Sequence, residues 1–188
     1  GVVCLLALTS CQNGKKAPTT PAPAEAIHAN IRFTEVSKEW GIDFVHQNGA
    51  KGRKLMPETV GSGVAFADFD GDGKLDILIV SSSNWSDDKR PSQTAKLYRN
   101  LGNGHFQDVT QGSGLDKPIY GMGVAVADYD GDGKEDVYLT AVGEHHLFHN
   151  EGNFHFRDVT HEAGVAGVPP EGISMQHKWS TGASWLDY

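Results

Sequence analysis

Short apolar stretches follow one another along the middle of the chain, separated by Gly, Asn and Asp. Residues 63–69 (GVAFADF) form a short stretch in which successive residues alternate in character. Residues 75–81 (LDILIVS), in contrast, are almost continuously apolar. Alternation is typical of a half-buried strand, and a short continuous run is typical of a strand buried on both faces. Residues 95–100 and 105–110 are short and rich in aromatic or β-branched side chains, which also favours strands. The pattern predicts four successive strands and no long amphipathic helix.

This four-strand pattern occurs twice. Residues 61–82 match residues 121–142, an offset of 60, and residues 96–115 match residues 146–165, an offset of 50. The two offsets differ because the first copy carries ten additional residues, 84–93, which are polar and turn-like and are predicted to form an exposed loop. A regular period of this kind is the signature of a repeat architecture.

The repeats predict an all-β fold, specifically a β-propeller built of four-stranded antiparallel blades. Residues 33–42 match the tail of a copy, and residues 182–188 match the start of one. Residues 30–188 are therefore predicted to form part of a propeller, with about two to three blades, whereas a closed propeller needs at least four. We accordingly expect the chain to be a piece of a longer propeller; a sandwich of two four-stranded units is the alternative.

The first residues have the character of a targeting segment. Residues 2–8 are apolar but too few to cross a bilayer, so residues 1–10 are predicted to be the remnant of a signal peptide. Residues 8–11 read LTSC and resemble a bacterial lipobox, which predicts lipidation of Cys11; an ordinary secretory signal is the alternative. Residues 11–29 are rich in Pro and small polar residues, as in a flexible tether. These features predict a secreted or cell-surface bacterial lipoprotein, and Gln12 favours the outer membrane.

The charge of the chain narrows the functional classes. It has 24 acidic and 16 basic residues and a net charge of −8, whereas a general nucleic-acid-binding domain is basic. We expect no nucleic-acid partner. The acidic surplus is concentrated in two nonapeptides, DFDGDGKLD at 68–76 and DYDGDGKED at 128–136.

Both nonapeptides have the composition of a loop that binds a hard cation. Carboxylates occupy positions 1, 3, 5 and 9, glycines permit a tight curl, and the Lys at position 7 can turn its carbonyl inward. Several hard oxygen ligands suit Ca²⁺, and the absence of His and Cys inside the loops disfavours Zn²⁺ and copper. The predicted ligands are Asp68, Asp70, Asp72, Lys74 and Asp76, then Asp128, Asp130, Asp132, Lys134 and Asp136. A third site begins at Asp187.

The loops have two alternative interpretations, an EF-hand and a turn without metal. An EF-hand needs Glu at position 12 and helices on both sides, but position 12 is Ile79 or Leu139 and the flanks are predicted strands. Solvated Asp-Gly turns without metal are the second alternative. The occurrence of one carboxylate pattern in two copies favours Ca²⁺, with a role in bracing each blade rather than in catalysis.

The repeated loops and strands resemble those of a known family. The loops and their flanking strands are similar to FG-GAP/VCBS-type repeats, the Ca²⁺-binding blades of integrin-α-like propellers. Residues 44–80 and 97–115 look most like the cartilage acidic protein and ASPIC/UnbV-type group, and the likeness extends over about residues 31–188. The resemblance implies Ca²⁺ binding by the eight Asp residues named above and by Asp187, in a protein of the cell surface or extracellular space.

The histidines of residues 143–150 are less specific candidates for a metal site than the Asp-rich loops. Of the three histidines in residues 143–150, His146 aligns with Lys96 and His149 with Arg99, so both are interpreted as ordinary polar strand positions. No nucleophile elbow or phosphate-binding Gly loop is present in the sequence.

The first functional hypothesis is a surface-anchored, Ca²⁺-binding protein that binds or adheres to a protein or polysaccharide, with a membrane contact through its lipid. The alternative is an extracellular lyase or hydrolase whose catalytic residues lie outside this sequence.

Overall fold

A computed structural model of the protein describes residues 31–85, 89–167 and 178–186. The chain divides into two units, Gly1–Thr34 and Glu35–Tyr188; in the first, only residues 31–34 are described, and they carry no helix or strand. The predicted signal remnant (residues 1–10), the whole predicted tether with Cys11 (residues 11–29) and Asp187 lie outside the described residues. None of the helical structure in the described ranges has the length and apolar character needed to cross a bilayer.

The fold of the second unit is all-β. Within the described residues, eight strands form two four-stranded antiparallel sheets in which strands adjacent in sequence pair with one another. The first sheet contains β1 (Val64–Ala67), β2 (Asp76–Ile79), β3 (Lys96–Gly102) and β4 (His105–Asp108). The second contains β5 (Gly121–Ala127), β6 (Asp136–Ala141), β7 (His146–Gly152) and β8 (His155–Asp158). A 3-10 helix at Met56–Thr59 precedes the first sheet. The prediction of two copies with four strands each is confirmed.

The register of the first two strands explains why the nonapeptides form loops. Ala67 pairs with Asp76 at the end of the β1–β2 ladder, and Ala127 pairs with Asp136 at the end of the β5–β6 ladder. Each nonapeptide therefore closes the hairpin between the first two strands of its sheet. The continuous apolar run predicts burial of the second strand, and Leu78 is indeed fully buried.

The outer strands end at a repeated Asp-Val-Thr sequence. The Thr110 hydroxyl oxygen accepts a hydrogen bond from the Leu97 N–H at 2.9 Å, and the Thr160 hydroxyl oxygen accepts one from Leu147 at 3.0 Å. A side-chain oxygen thus replaces a backbone carbonyl as the acceptor for an inner strand, and the ladder stops there. For this reason the observed strands β4 and β8 end two residues before the end of the predicted strand at 105–110 and of its counterpart in the second copy.

The Asp158 carboxylate makes the outer edge of the second sheet sensitive to acid. Burial on its own raises the pKa of Asp158, but the hydroxyl and N–H of Thr160 and the Lys117 ammonium outweigh burial and lower that pKa to about 2. The folded pKa lies below the ordinary value of 3.8, so the stabilisation is complete above about pH 4 and is lost as the pH falls toward about 2.

Replacement of Asp158 by Asn is expected to remove this part of the acid sensitivity. The wild type should exceed the variant in unfolding free energy near neutral pH, and the difference should shrink between about pH 4 and about pH 2. Urea denaturation across that range measures it, and Lys117→Met should reduce the difference only in part. A wild-type advantage that is independent of pH would contradict the assignment.

The tail of one repeat docks on the outer strand of the following sheet. The Phe106 N–H donates to the Trp40 carbonyl at 2.7 Å, and the Phe156 N–H donates to the Ser113 carbonyl at 2.7 Å. Trp40 and Ser113 are equivalent in the repeat alignment, so both sheets receive a tail in the same way. The sheets also meet through Phe69 and Phe156, whose rings pack edge to face with centroids 5.7 Å apart. The first strands, β1 and β5, are in contact with each other.

Candidate metal centres

The Asp at position 9 of each loop is a buried anchor. Asp136 is fully buried, and its Oδ2 and Oδ1 accept backbone N–H groups from Tyr129 at 3.0 Å and Asn150 at 2.7 Å. Asp76 has the same two bonds, from Phe69 at 3.0 Å and Asn100 at 2.8 Å. Burial raises the pKa of both carboxyls despite these bonds. A nearby cation would therefore stabilise their charged form.

The Asp at position 1 curls the loop around itself. Asp68 Oδ1 accepts the N–H groups of Gly71 at 2.8 Å and Asp72 at 3.0 Å, and its Oδ2 accepts that of Gly73 at 2.7 Å. Both glycines have positive φ, +75° and +82°, a conformation that other residues adopt only at a cost. Asp128 repeats this pattern in the second loop. The tight curl expected from the Gly positions is thus observed.

The carboxylates converge as a metal site requires. In the first loop, Asp68, Asp70 and Asp76 each place an oxygen within 4.8 Å of the others. In the second loop, Asp128, Asp130 and Asp132 do the same, and a second group within that distance combines Asp130, Asp136 and His149. Ligands bound to one Ca²⁺ at 2.3–2.6 Å lie no farther apart than about twice that distance. These acidic clusters can therefore hold a metal ion, and hard carboxylate oxygens suit Ca²⁺.

The Lys residues at position 7 pair with the loops through their side chains. Lys74 Nζ lies 2.7 Å from Asp72 Oδ2, and Lys134 pairs with Asp132 in the same way. Hydrogen bonding by the lysines lowers the pKa of both aspartates. The charges of two predicted ligands, Asp72 and Asp132, are therefore partly neutralised by a lysine of the same loop. That the backbone carbonyl of each Lys turns inward as a metal ligand stays a prediction.

Two residues that the sequence analysis did not assign to the loops lie against them. Arg99 Nη2 is 2.7 Å from Asp70 Oδ2, and His149 Nδ1 is 3.4 Å from Asp130 Oδ2 and 3.2 Å from Asp136 Oδ1. Both belong to the third strand of their sheet and are equivalent in the two copies. The alignment placed them at polar strand positions, and only strand pairing shows that these positions face the loop.

Asn150 connects the two loops. Its side-chain N–H₂ donates to the Phe69 carbonyl of the first loop at 3.0 Å and to the Glu135 carbonyl of the second at 3.1 Å. Asn150 is fully buried, and its bond to the Phe69 carbonyl is buried as well. The equivalent Asn100 donates to Leu75 within its own loop at 2.9 Å. One side chain of the second sheet thus forms hydrogen bonds to both loops.

Two four-stranded antiparallel sheets, each with an Asp-rich hairpin loop between its first two strands, define an all-β repeat protein. The family model described as the FG-GAP-like repeat matches residues 68–139, from the first loop through most of β6. Among curated proteins, cartilage acidic protein 1 of Mus musculus is similar, with 46% identity over 54 residues. That alignment covers 28% of this chain and 8% of the mouse protein, so the chain spans a small part of that relative's length.

Proposed function

We propose that this chain is a Ca²⁺-braced, surface-anchored repeat protein that acts in binding or adhesion to a protein or polysaccharide. The convergence of three carboxylates in each Asp-rich loop carries the proposal. The match to the FG-GAP-like repeat supports it, because such repeats are found in adhesion-type surface proteins and their loops often bind Ca²⁺. The lipid anchor at Cys11 is part of this proposal.

The arrangement of the two sheets supports blades of a β-propeller. Their first strands lie side by side, as innermost strands around an axis would, and the tail of one repeat docks on the outer strand of the next. In this arrangement the metal loops lie at strand ends, away from the sheet faces. The ions then serve as braces that hold the hairpins, and a partner would bind the surface that the braced loops present.

Removal of Ca²⁺ is expected to destabilise the protein. With free Ca²⁺ at 10 to 100 times Kd, each site contributes about 1.4–2.7 kcal/mol. Two sites in a domain of this size correspond to a rise in Tm of roughly 5–20 °C. The measurement is a calorimetric melt in Ca²⁺ and in excess chelator, with metal analysis of both samples.

The matched control is the double variant Asp70→Asn, Asp130→Asn. These side chains lie in the carboxylate clusters, and neither supplies the buried backbone anchors. The variant should fold and show little response to Ca²⁺. Identical melting of the wild type in Ca²⁺ and in chelator, with no metal bound in either sample, would contradict the proposal.

A further inference from the structure

The two loops have nearly the same sequence but face different side chains on the third strand of their sheets. Arg99 on β3 faces the first loop, and His149 on β7 faces the second. A guanidinium keeps its positive charge in proteins, whereas a neutral imidazole offers a lone pair to a metal. The substitution therefore changes the chemistry of the site beside an otherwise similar loop.

Arg99 on β3 places a positive charge against the carboxylates of the first loop. Its Nη2 lies 2.7 Å from Asp70 Oδ2 and 3.6 Å from Asp72 Oδ2. The central carbon of the guanidinium also lies 5.7 Å from the centroid of the Phe154 ring of the next repeat. These contacts place the guanidinium beside the carboxylates, where its charge partly neutralises them. A divalent cation that enters the first loop meets this fixed positive charge.

His149 has the geometry of a ligand in the second loop. Its Nδ1 exposes less than 1 Å² and, among the described residues, has no hydrogen-bond partner. This nitrogen nevertheless lies 3.2 Å from Asp136 Oδ1 and 3.4 Å from Asp130 Oδ2, and the three side chains bring ligand atoms within 4.8 Å of one another. A buried polar atom without a partner is costly. A cation bound between Nδ1 and the two carboxylates removes that cost.

We propose that the two loops are unequal cation sites, and that the second is a mixed carboxylate–imidazole centre with His149 Nδ1 as a direct ligand. The second loop fills first and accepts Mn²⁺ and other cations that tolerate nitrogen ligands, as well as Ca²⁺. The first loop offers oxygen ligands only and binds a cation more weakly because of Arg99. This inference rests on the proposed function, namely that the Asp-rich loops bind divalent cations.

Mn²⁺ titration of the full 188-residue chain, followed by electron paramagnetic resonance, tests the inference. The first Mn²⁺ bound is expected to show electron spin-echo modulation from a directly coordinated ¹⁴N nucleus. His149→Gln should abolish that modulation, and the matched control His146→Gln, on the same strand, should retain it. Saturation of the chain with Mn²⁺ without nitrogen modulation would overturn the inference.

Reciprocal exchange of the two residues provides a second readout. His149→Arg is expected to lower the Mn²⁺ and Ca²⁺ affinity of the second loop roughly tenfold or more, because the substitution removes the imidazole ligand and places a positive charge beside the cation. Arg99→His should raise the affinity of the first loop by a similar factor and create a second nitrogen-coupled Mn²⁺. This gain of binding cannot result from misfolding. If the two wild-type loops bind cations with equal affinity and neither substitution changes that affinity, the inference of unequal sites is refuted while the proposed function stands. If the wild type binds neither Mn²⁺ nor Ca²⁺, the proposed function is refuted as well.

Discussion

Gly114→Ala is expected to lower the unfolding free energy by about 3 kcal/mol or more, a large fraction of the roughly 5–15 kcal/mol that stabilises a typical domain. Gly114 has φ of +88°, and a Cβ atom there would lie 2.0 Å from the Phe156 carbonyl oxygen. The left-handed conformation alone costs an alanine about 1–2 kcal/mol. The remainder arises because the tail must move away from β8, which disrupts the 2.7 Å bond from the Phe156 N–H to the Ser113 carbonyl.

Gly164→Ala is the matched control for this substitution. Gly164 occupies the equivalent position in the next tail and also has positive φ, +71°, but among the described residues no atom lies within 4 Å of the added Cβ. Its expected loss is the conformational cost alone, about 1–2 kcal/mol. Urea denaturation of both variants measures the difference. Equal losses would show that docking of the tail on the neighbouring sheet contributes nothing to the effect.

Asp136→Ala is expected to destabilise the protein by about 2–4 kcal/mol even in excess chelator. The substitution leaves the buried N–H groups of Tyr129 and Asn150 without their acceptor, at about 1–3 kcal/mol each. Removal of a buried charge offsets part of this loss, since burial raises the pKa of Asp136. The effect is thus structural and separate from any metal. Chemical denaturation in chelator is the measurement.

Asp132→Ala separates the two roles that an aspartate of the loop can have. Asp132 is more exposed, and its carboxylate accepts hydrogen bonds from the ammonium and the backbone N–H of Lys134 in the same loop. Its replacement should therefore change stability in chelator far less than Asp136→Ala does. In Ca²⁺ it should weaken binding, since its carboxylate belongs to the cluster with Asp128 and Asp130. If the two variants are equally stable in chelator, the buried anchor has been assigned to the wrong residue.

Much of the candidate site could be predicted because its bonds are local. Asp68 accepts N–H groups from the residues three to five positions ahead, so one nonapeptide contains both partners and the Gly residues that permit the curl. Arg99 and His149 could not be assigned in this way. They lie 29 and 19 positions from Asp70 and Asp130 (99 − 70 and 149 − 130), and their sequence environment is that of any polar strand residue.

The sequence by itself determined the repeat, the four strands of each copy and the position of the acidic loops, because strand patterning and turn chemistry act between near neighbours. Tertiary structure alone decided that Asp76 and Asp136 are buried anchors and that Asn150 joins the two loops. It also decided that one loop faces a guanidinium and the other an imidazole. The physical reason is that pairing between strands and docking between repeats select which side chains meet, and both depend on contacts between residues far apart in the chain.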